Sequence, residues 1–190
     1  MGAEEGSVAA VLDPEVLLSA QAGDAAALSA VYRDLAPSVL GYLSARGVPD
    51  PEAQVSEIFI TVLSKLPTLT GGMEGLRTFT FSVAHARLVD DRRRRARRPE
   101  QVPYVAEWDE RTSVSAEQQA LEHDDEARAR KLLATLPPDQ AEVLTLRVLA
   151  DLSIDQTAIV VGRSPGAVKQ LQRRALVNLR ARMAAQGVTK

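Results

Sequence analysis

Residues 153–183 read SIDQTAIVVGRSPGAVKQLQRRALVNLRARM, and three local signals divide them. Ser153-Ile154-Asp155-Gln156 has capping-box spacing, which predicts a short helix running to Val161. Gly162-Arg163-Ser164 reads as a three-residue turn. Ser164 then caps a last helix with Pro165 in its first position, extending to about Ala185. A short capped helix, a turn containing glycine and a longer basic helix make a helix-turn-helix unit. In the last helix Val168, Leu171, Ala175 and Leu179 recur at steps of three and four, so they form one apolar face. Lys169, Gln170, Arg173 and Arg174 fall on the opposite side. Arginine and lysine suit guanine edges and phosphates, glutamine suits adenine, and the N-terminal half of such a helix enters the major groove. The same spacing also fits a surface helix with a soluble basic face, and helix-turn-helix geometry alone does not separate the two.

Working upstream, a helix is predicted from Asp139 to Leu149, set off by Pro137-Pro138 from one carrying Leu132, Leu133 and Leu136. That earlier helix opens at Ser115-Ala116-Glu117-Gln118, a second capping box. Between Pro99 and Val114 there is no helical period, and this segment reads as a linker. The first half is helical again. Asp13-Pro14 starts a helix to Ala20, and Asp24 caps one carrying Leu28, Val31, Tyr32 and Leu35. Pro37 predicts a kink or a new start before Val39, Leu40 and Leu43, and Gly47 stops that helix. Asp50-Pro51 opens another, with Val55, Ile58, Phe59, Val62, Leu63 and Leu66 up to Pro67. A flexible turn containing Gly71, Gly72 and Gly75 leads to a long helix from about Leu76 through Arg92–Arg98 to Pro99. No strand pattern interrupts these helices. The expected fold is all-α, two small helical domains joined by an acidic linker, at 1–98, 99–114 and 115–190.

Charge is segregated along the same boundaries. The chain of 190 residues has a net charge of −2, yet residues 1–76 carry −7, 77–98 carry +6, 99–126 carry −8 and 127–190 carry +7. Two basic blocks around an acidic stretch suggest two surfaces for a polyanion and a connector that avoids it. There is no cysteine, which excludes disulfides, thiolate metal sites and cysteine nucleophiles. His85 and His123 are far apart, and adjacent Asp90 and Asp91 point about 100° apart on a helix. The glycine loop lacks the Gly-Lys-Ser/Thr ending of a phosphate-binding loop. No constellation for nucleophilic or acid–base catalysis is present, so neither an enzyme nor a metal or other cofactor is expected. No apolar run approaches the roughly 18 residues of a membrane span, and the start is acidic where a signal peptide is basic. A cytoplasmic protein without membrane insertion is expected.

Several stretches resemble a known family. Leu133-Ala134-Thr135-Leu136-Pro137-Pro138-Asp139-Gln140, then Val143-Leu144-Thr145-Leu146-Arg147, is similar to the start of region 4 of bacterial RNA polymerase sigma factors. Leu152-Ser153 and Ser164-Pro165-Gly166-Ala167-Val168-Lys169, with Arg174-Ala175 beyond, continue the match. Tyr32-Arg33-Asp34-Leu35-Ala36-Pro37 with Tyr42-Leu43, Leu76-Arg77-Thr78-Phe79, and Asp90 before the arginines resemble region 2 more loosely. Two helical domains with no region 3 between them resemble the extracytoplasmic-function (ECF) group of the sigma-70 family. The resemblance covers about Asp24 to Met183.

It implies an alternative sigma factor that binds core RNA polymerase and directs initiation at promoter DNA, usually restrained by an anti-sigma factor. Lys169, Gln170, Arg173 and Arg174 are then the −35 recognition residues, with Arg147 and Ser164 on phosphate. The −10 element is captured under the loop from Leu69 to Gly75 and melted by Arg77, Phe79, His85, Arg87, Arg92, Arg93, Arg94 and Arg95. Core polymerase is met by Val55, Glu57, Ile58 and Phe59. The chain departs from the family at that helix. An acidic residue, Leu and a Gln-Glu pair usually precede the aromatic, whereas Ala53-Gln54-Val55-Ser56-Glu57-Ile58-Phe59 keeps only Glu57 and Phe59. Phe79 stands in place of a tryptophan and Ala86 in place of an asparagine. Two other readings stay open on sequence. One is a stand-alone helix-turn-helix regulator; the other is a degenerate sigma-like protein acting through a protein partner.

Overall fold

A computed structural model of the protein describes residues 13–97 and 131–185. The helices are α1 (Pro14–Gln21), α2 (Ala25–Ala45), α3 (Pro51–Lys65), α4 (Gly72–Arg97), α5 (Pro138–Val148), α6 (Ile154–Val161) and α7 (Pro165–Ala185), with a 3₁₀ turn at Leu66–Thr68. No strand occurs among the described residues. The linker at 99–114 and the capping box at Ser115 lie outside them.

The helix starts follow from local chemistry. Asp13, Asp24 and Asp50 each accept a backbone N–H of the first turn, from Glu15, Ala27 and Ala53 at 3.0, 2.8 and 3.0 Å. Ser153 and Gln156 form the reciprocal capping box, with bonds of 3.1 and 2.7 Å. Gly162 ends α6 at φ +65°, where a side chain is strained, and frees the chain to turn into α7.

Two expectations are corrected. Pro37 neither breaks nor restarts α2, which runs unbroken through it. Proline lacks the N–H that would reach the Arg33 carbonyl, but Pro37 lies on the exposed side, where water can take that acceptor. Leu35, Ala36 and Val39 meanwhile bury the other side and carry the helix across. The long helix α4 starts at Gly72, four residues before the expected Leu76. Gly72 takes φ +60° at the first position, so the glycines are absorbed into the first turn and do not delay it.

The first unit packs α1 on α2, α2 on α3, and α4 along both α2 and α3. Val31, Leu35, Val39, Leu43, Ile58, Val62, Leu66, Leu76 and Phe81 are fully buried there. In the second unit Val143, Ala158 and Val168 join α5, α6 and α7, and Leu136, Ala141, Leu144 and Ala175 extend that packing. The larger core crosses between the units. Leu146, Ala150, Leu152 and Val160 of the second unit are buried in the first unit's cluster, and α6 lies against α4. Full burial of an aliphatic side chain contributes about 1.5–3 kcal/mol, so these residues hold the two units in contact.

Candidate nucleic-acid interface

The helix-turn-helix is built as the periodicity requires. Val168 and Ala175 are fully buried, and Leu171 and Leu179 pack beside them, so α7 rests on its apolar face. Lys169, Gln170, Arg173 and Arg174 are all exposed on the other side. Gln170, Arg173 and Arg174 line one open groove of about 320 Å³ with Gln140, Val177 and Asn178. Asn178 donates to Gln140 at 2.8 Å and ties the middle of α7 to α5. Arg163 in the turn pairs with Asp139 at 2.6 Å, bracing the turn against the start of α5. Ser164 is spent locally, accepting the Ala167 N–H at 3.2 Å as the cap of α7. Arg147 is half-buried and donates to the Leu152 carbonyl, so its guanidinium supports the loop between α5 and α6.

The predicted melting residues fall into two groups along α4. Arg92, Arg93 and Arg94 are exposed at its far end, whereas the side chain of Arg95 lies outside the described residues. Arg87 is partly exposed and pairs with Glu57 of α3 at 2.9 Å. Phe79 is half-buried against the core. Arg77 and His85 face the second unit. Arg77 donates to the Ala150 carbonyl at 3.3 Å and lies 3.8 Å from Asp34. Of the four residues predicted to meet polymerase, only Glu57 is exposed. Val55, Ile58 and Phe59 are 4 %, 0 % and 2 % exposed, because they form the inward face of α3. The outward apolar residue on that helix is Ile60, and the Tyr32 ring packs edge-on to Phe59 with centroids 4.7 Å apart.

The glycine loop is pinned rather than flexible. Gln21 of α1 donates to the carbonyls of Leu66 and Leu69 at 3.2 and 2.8 Å. Gly75 closes the loop so tightly that a Cβ there would lie 2.1 Å from the Thr70 carbonyl oxygen. Neither Gln21 nor Thr70 carries a local sequence signal for this role, since the contact to Gln21 spans 45–48 residues.

A further polar cluster, unexpected from sequence, lies between the units. Glu142 of α5 is 6 % exposed inside a run, Ala141–Leu146, that is buried throughout. Tyr42 of α2 donates its hydroxyl to Glu142 Oε1. His85 Nδ1 lies 3.0 Å from the same oxygen and 3.3 Å from the Tyr42 hydroxyl. Arg46, at the end of α2, forms an ion pair with Glu142 Oε2 at 2.9 Å. Burial pushes the Glu142 carboxyl up, but the His85 hydrogen bond, the Arg46 charge and the Tyr42 hydroxyl outweigh it and leave the carboxyl below its ordinary value. Burial, then Glu142, raise the Tyr42 phenol. Partial burial and the neighbouring Arg46 lower the Arg92 guanidinium, with Glu142 acting against them. The available sequence signal is Glu142 itself, the one charge within the run Ala141–Leu146.

An exposed basic helix-turn-helix attached to a second helical unit with an arginine-rich helix defines a two-part helical protein of the DNA-binding class. The comparisons agree. Residues 126–179 match the family Sigma-70, region 4. The chain is 35 % identical to the ECF RNA polymerase sigma factor ShbA of Streptomyces griseus, over 84 % of this chain and 88 % of that protein. It is 34 % identical to the ECF RNA polymerase sigma factor SigD of Mycobacterium tuberculosis, over 90 % of this chain and 84 % of that one. Its fold is similar to that of CnrH, solved in complex with the cytosolic domain of CnrY. The TM-score is 0.67 at 20 % identity, covering 91 % of this chain and 97 % of the other. The chain belongs to the ECF RNA polymerase sigma factors.

Proposed function

We infer that the protein is an alternative sigma factor that binds core RNA polymerase and directs initiation at a defined set of promoters. The observation that carries this reading is the exposed row Lys169, Gln170, Arg173 and Arg174 on a helix-turn-helix whose last helix rests on its buried Val168 and Ala175. In this reading residues 115–190 recognise the −35 element, residues 1–98 bind polymerase and melt the −10 element, and 99–114 form the linker. Arg92, Arg93, Arg94 and Arg95 hold the displaced strand, with Arg77, Phe79, His85 and Arg87 nearer the opened base pairs. Arg147 and Ser164 border the −35 face. The outward side of α3, with Glu57 and Ile60, supplies the polymerase contact, because Val55, Ile58 and Phe59 are needed inside. The work is binding and strand separation with no catalytic step of its own, and it takes place in the cytoplasm, where the polymerase is. No helix among the described residues is long and apolar enough to cross a membrane.

An anti-sigma factor is the expected regulatory partner. An apolar cleft of about 610 Å³ where α2, α5 and α7 meet, lined by Pro37, Leu40, Val148, Leu176, Leu179 and Met183 among others, offers a surface for a protein to cover. The burial of three of the four expected polymerase contacts favours, as a second reading, a regulator that binds DNA without polymerase. Reconstitution separates the two. For a sigma factor, the protein co-elutes with core polymerase, and only the complex makes thymines in promoter fragments reactive to permanganate. Duplex binding by the free protein, with no co-elution, supports the second reading and overturns the first.

A further inference from the structure

Two residues assigned above to strand opening are engaged by the other half of the molecule. Arg77 donates to the Ala150 carbonyl at 3.3 Å, and His85 Nδ1 sits 3.0 Å from Glu142 Oε1. Gln156 at the start of α6 reaches the Glu74 carbonyl on the same face of α4, at 3.5 Å. The second unit therefore covers the part of α4 assigned to the −10 element. Apolar packing of Leu146, Leu152 and Val160 contributes to this closure, but it is non-directional. Direction comes from the polar cluster. Glu142 is engaged by groups on both elements of the first unit that face it, Tyr42 and Arg46 from α2 and His85 from α4, with Arg92 of α4 close enough for its charge to be felt. Glu142 and Arg46 have side chains only 8 % and 6 % exposed, so neither can separate without a replacement partner or water.

We propose that Tyr42, Arg46, His85 and Glu142 form an autoinhibitory latch that holds the second unit over Arg77 and His85, and that this latch must break before the −10 strand can be captured. The inference rests on the sigma-factor reading for what the covered residues do, but not for the closure itself. Opening also exposes Leu146, Leu152 and Val160, so the closed form predominates in the intact protein until a partner surface covers them. Free protein is thereby kept from single-stranded DNA.

The test uses the full chain. It contains no cysteine, so Ser29→Cys and Arg182→Cys place one dye on an exposed site of each unit. The inter-dye distance is measured by single-molecule energy transfer in this background and again with Glu142→Gln or Tyr42→Phe added. Glu142→Gln removes the charge that Arg46 requires. Tyr42→Phe removes one hydroxyl while keeping the ring that packs on Phe81 at 5.8 Å, and helical circular dichroism verifies that each variant folds. Binding to a fluorescein-labelled oligothymidylate is followed in parallel. The latch predicts a larger long-distance population in both variants than in the parent protein. If the closed form holds about nine molecules in ten, tighter single-strand binding approaches roughly tenfold on complete opening. Unchanged distances in both folded variants would overturn the latch. Longer distances with unchanged single-strand binding would overturn the occlusion it is proposed to cause. Loss of co-elution with polymerase bears on the sigma-factor reading and leaves the distance result standing.

Discussion

Replacing Glu142 by leucine removes a buried charge and strands its partners. Arg46, 6 % exposed at its side chain, loses its carboxylate at 2.9 Å, and the Tyr42 hydroxyl and His85 lose their shared acceptor. Breaking a buried pair from one side costs about 3–5 kcal/mol, a large part of the roughly 5–15 kcal/mol that stabilises a typical domain. Adding Arg46→Met removes the stranded cation and restores most of that loss, because apolar residues of similar volume can replace a buried pair at little net cost. Urea unfolding followed by far-UV circular dichroism measures both variants and Arg46→Met alone, and the double variant's loss minus the two single losses is the coupling energy. The wild type also has a pH signature. Because the folded Glu142 carboxyl lies below its ordinary value, the unfolded chain takes up the proton first as pH falls. Stability is therefore present above the ordinary carboxylate range and declines as pH drops through and below it. Between about pH 7 and about pH 4 the wild type should lose more stability than Glu142→Leu. A single variant within about 0.5 kcal/mol of wild type, or a double variant no better than the single, would show that Glu142 and Arg46 are not a coupled buried pair.

Three further outcomes follow from particular contacts. Gly75→Ala drives a methyl group into the Thr70 carbonyl, 2.1 Å away, and should lower stability by about 1–3 kcal/mol; an unchanged urea midpoint means the loop can open freely. Ser153→Ala removes the acceptor for the Gln156 N–H and should cost about 1 kcal/mol, read from thermal unfolding and absent in Ser153→Asp, which can still cap. Above about pH 10 the raised Tyr42 phenol stays protonated while the unfolded chain ionises, so stability falls there, and Tyr42→Phe removes that component.

What the sequence disclosed was local. The caps at Asp13, Asp24, Asp50 and Ser153, the turn at Gly162 and the basic face of α7 depend on residues within one or two turns of one another, and short-range spacing records them. Pro37 misled because propensity weighs its missing N–H, whereas the packing of Leu35 and Val39 settles the helix. Family likeness placed Val55, Ile58 and Phe59 at a surface, yet their helical spacing with Val62 is that of a buried stripe. The contact of Glu142 with Tyr42 spans 100 residues, and that of Arg77 with Ala150 spans 73. No periodicity encodes such pairs, so the closed arrangement and its polar cluster are visible only in three dimensions.

The most direct measurement of the protein's role is 5′-end mapping of transcripts made in vitro from fragmented genomic DNA by core polymerase, with and without the protein. A sigma factor yields new discrete starts that share upstream −35 and −10 elements. Arg173→Ala/Arg174→Ala should weaken the −35 preference by about 2–6 kcal/mol, at about 1–3 kcal/mol per base-reading side chain. An identical set of starts with and without the protein would contradict the sigma-factor role, and an unchanged −35 preference in the double variant would contradict base reading by Arg173 and Arg174.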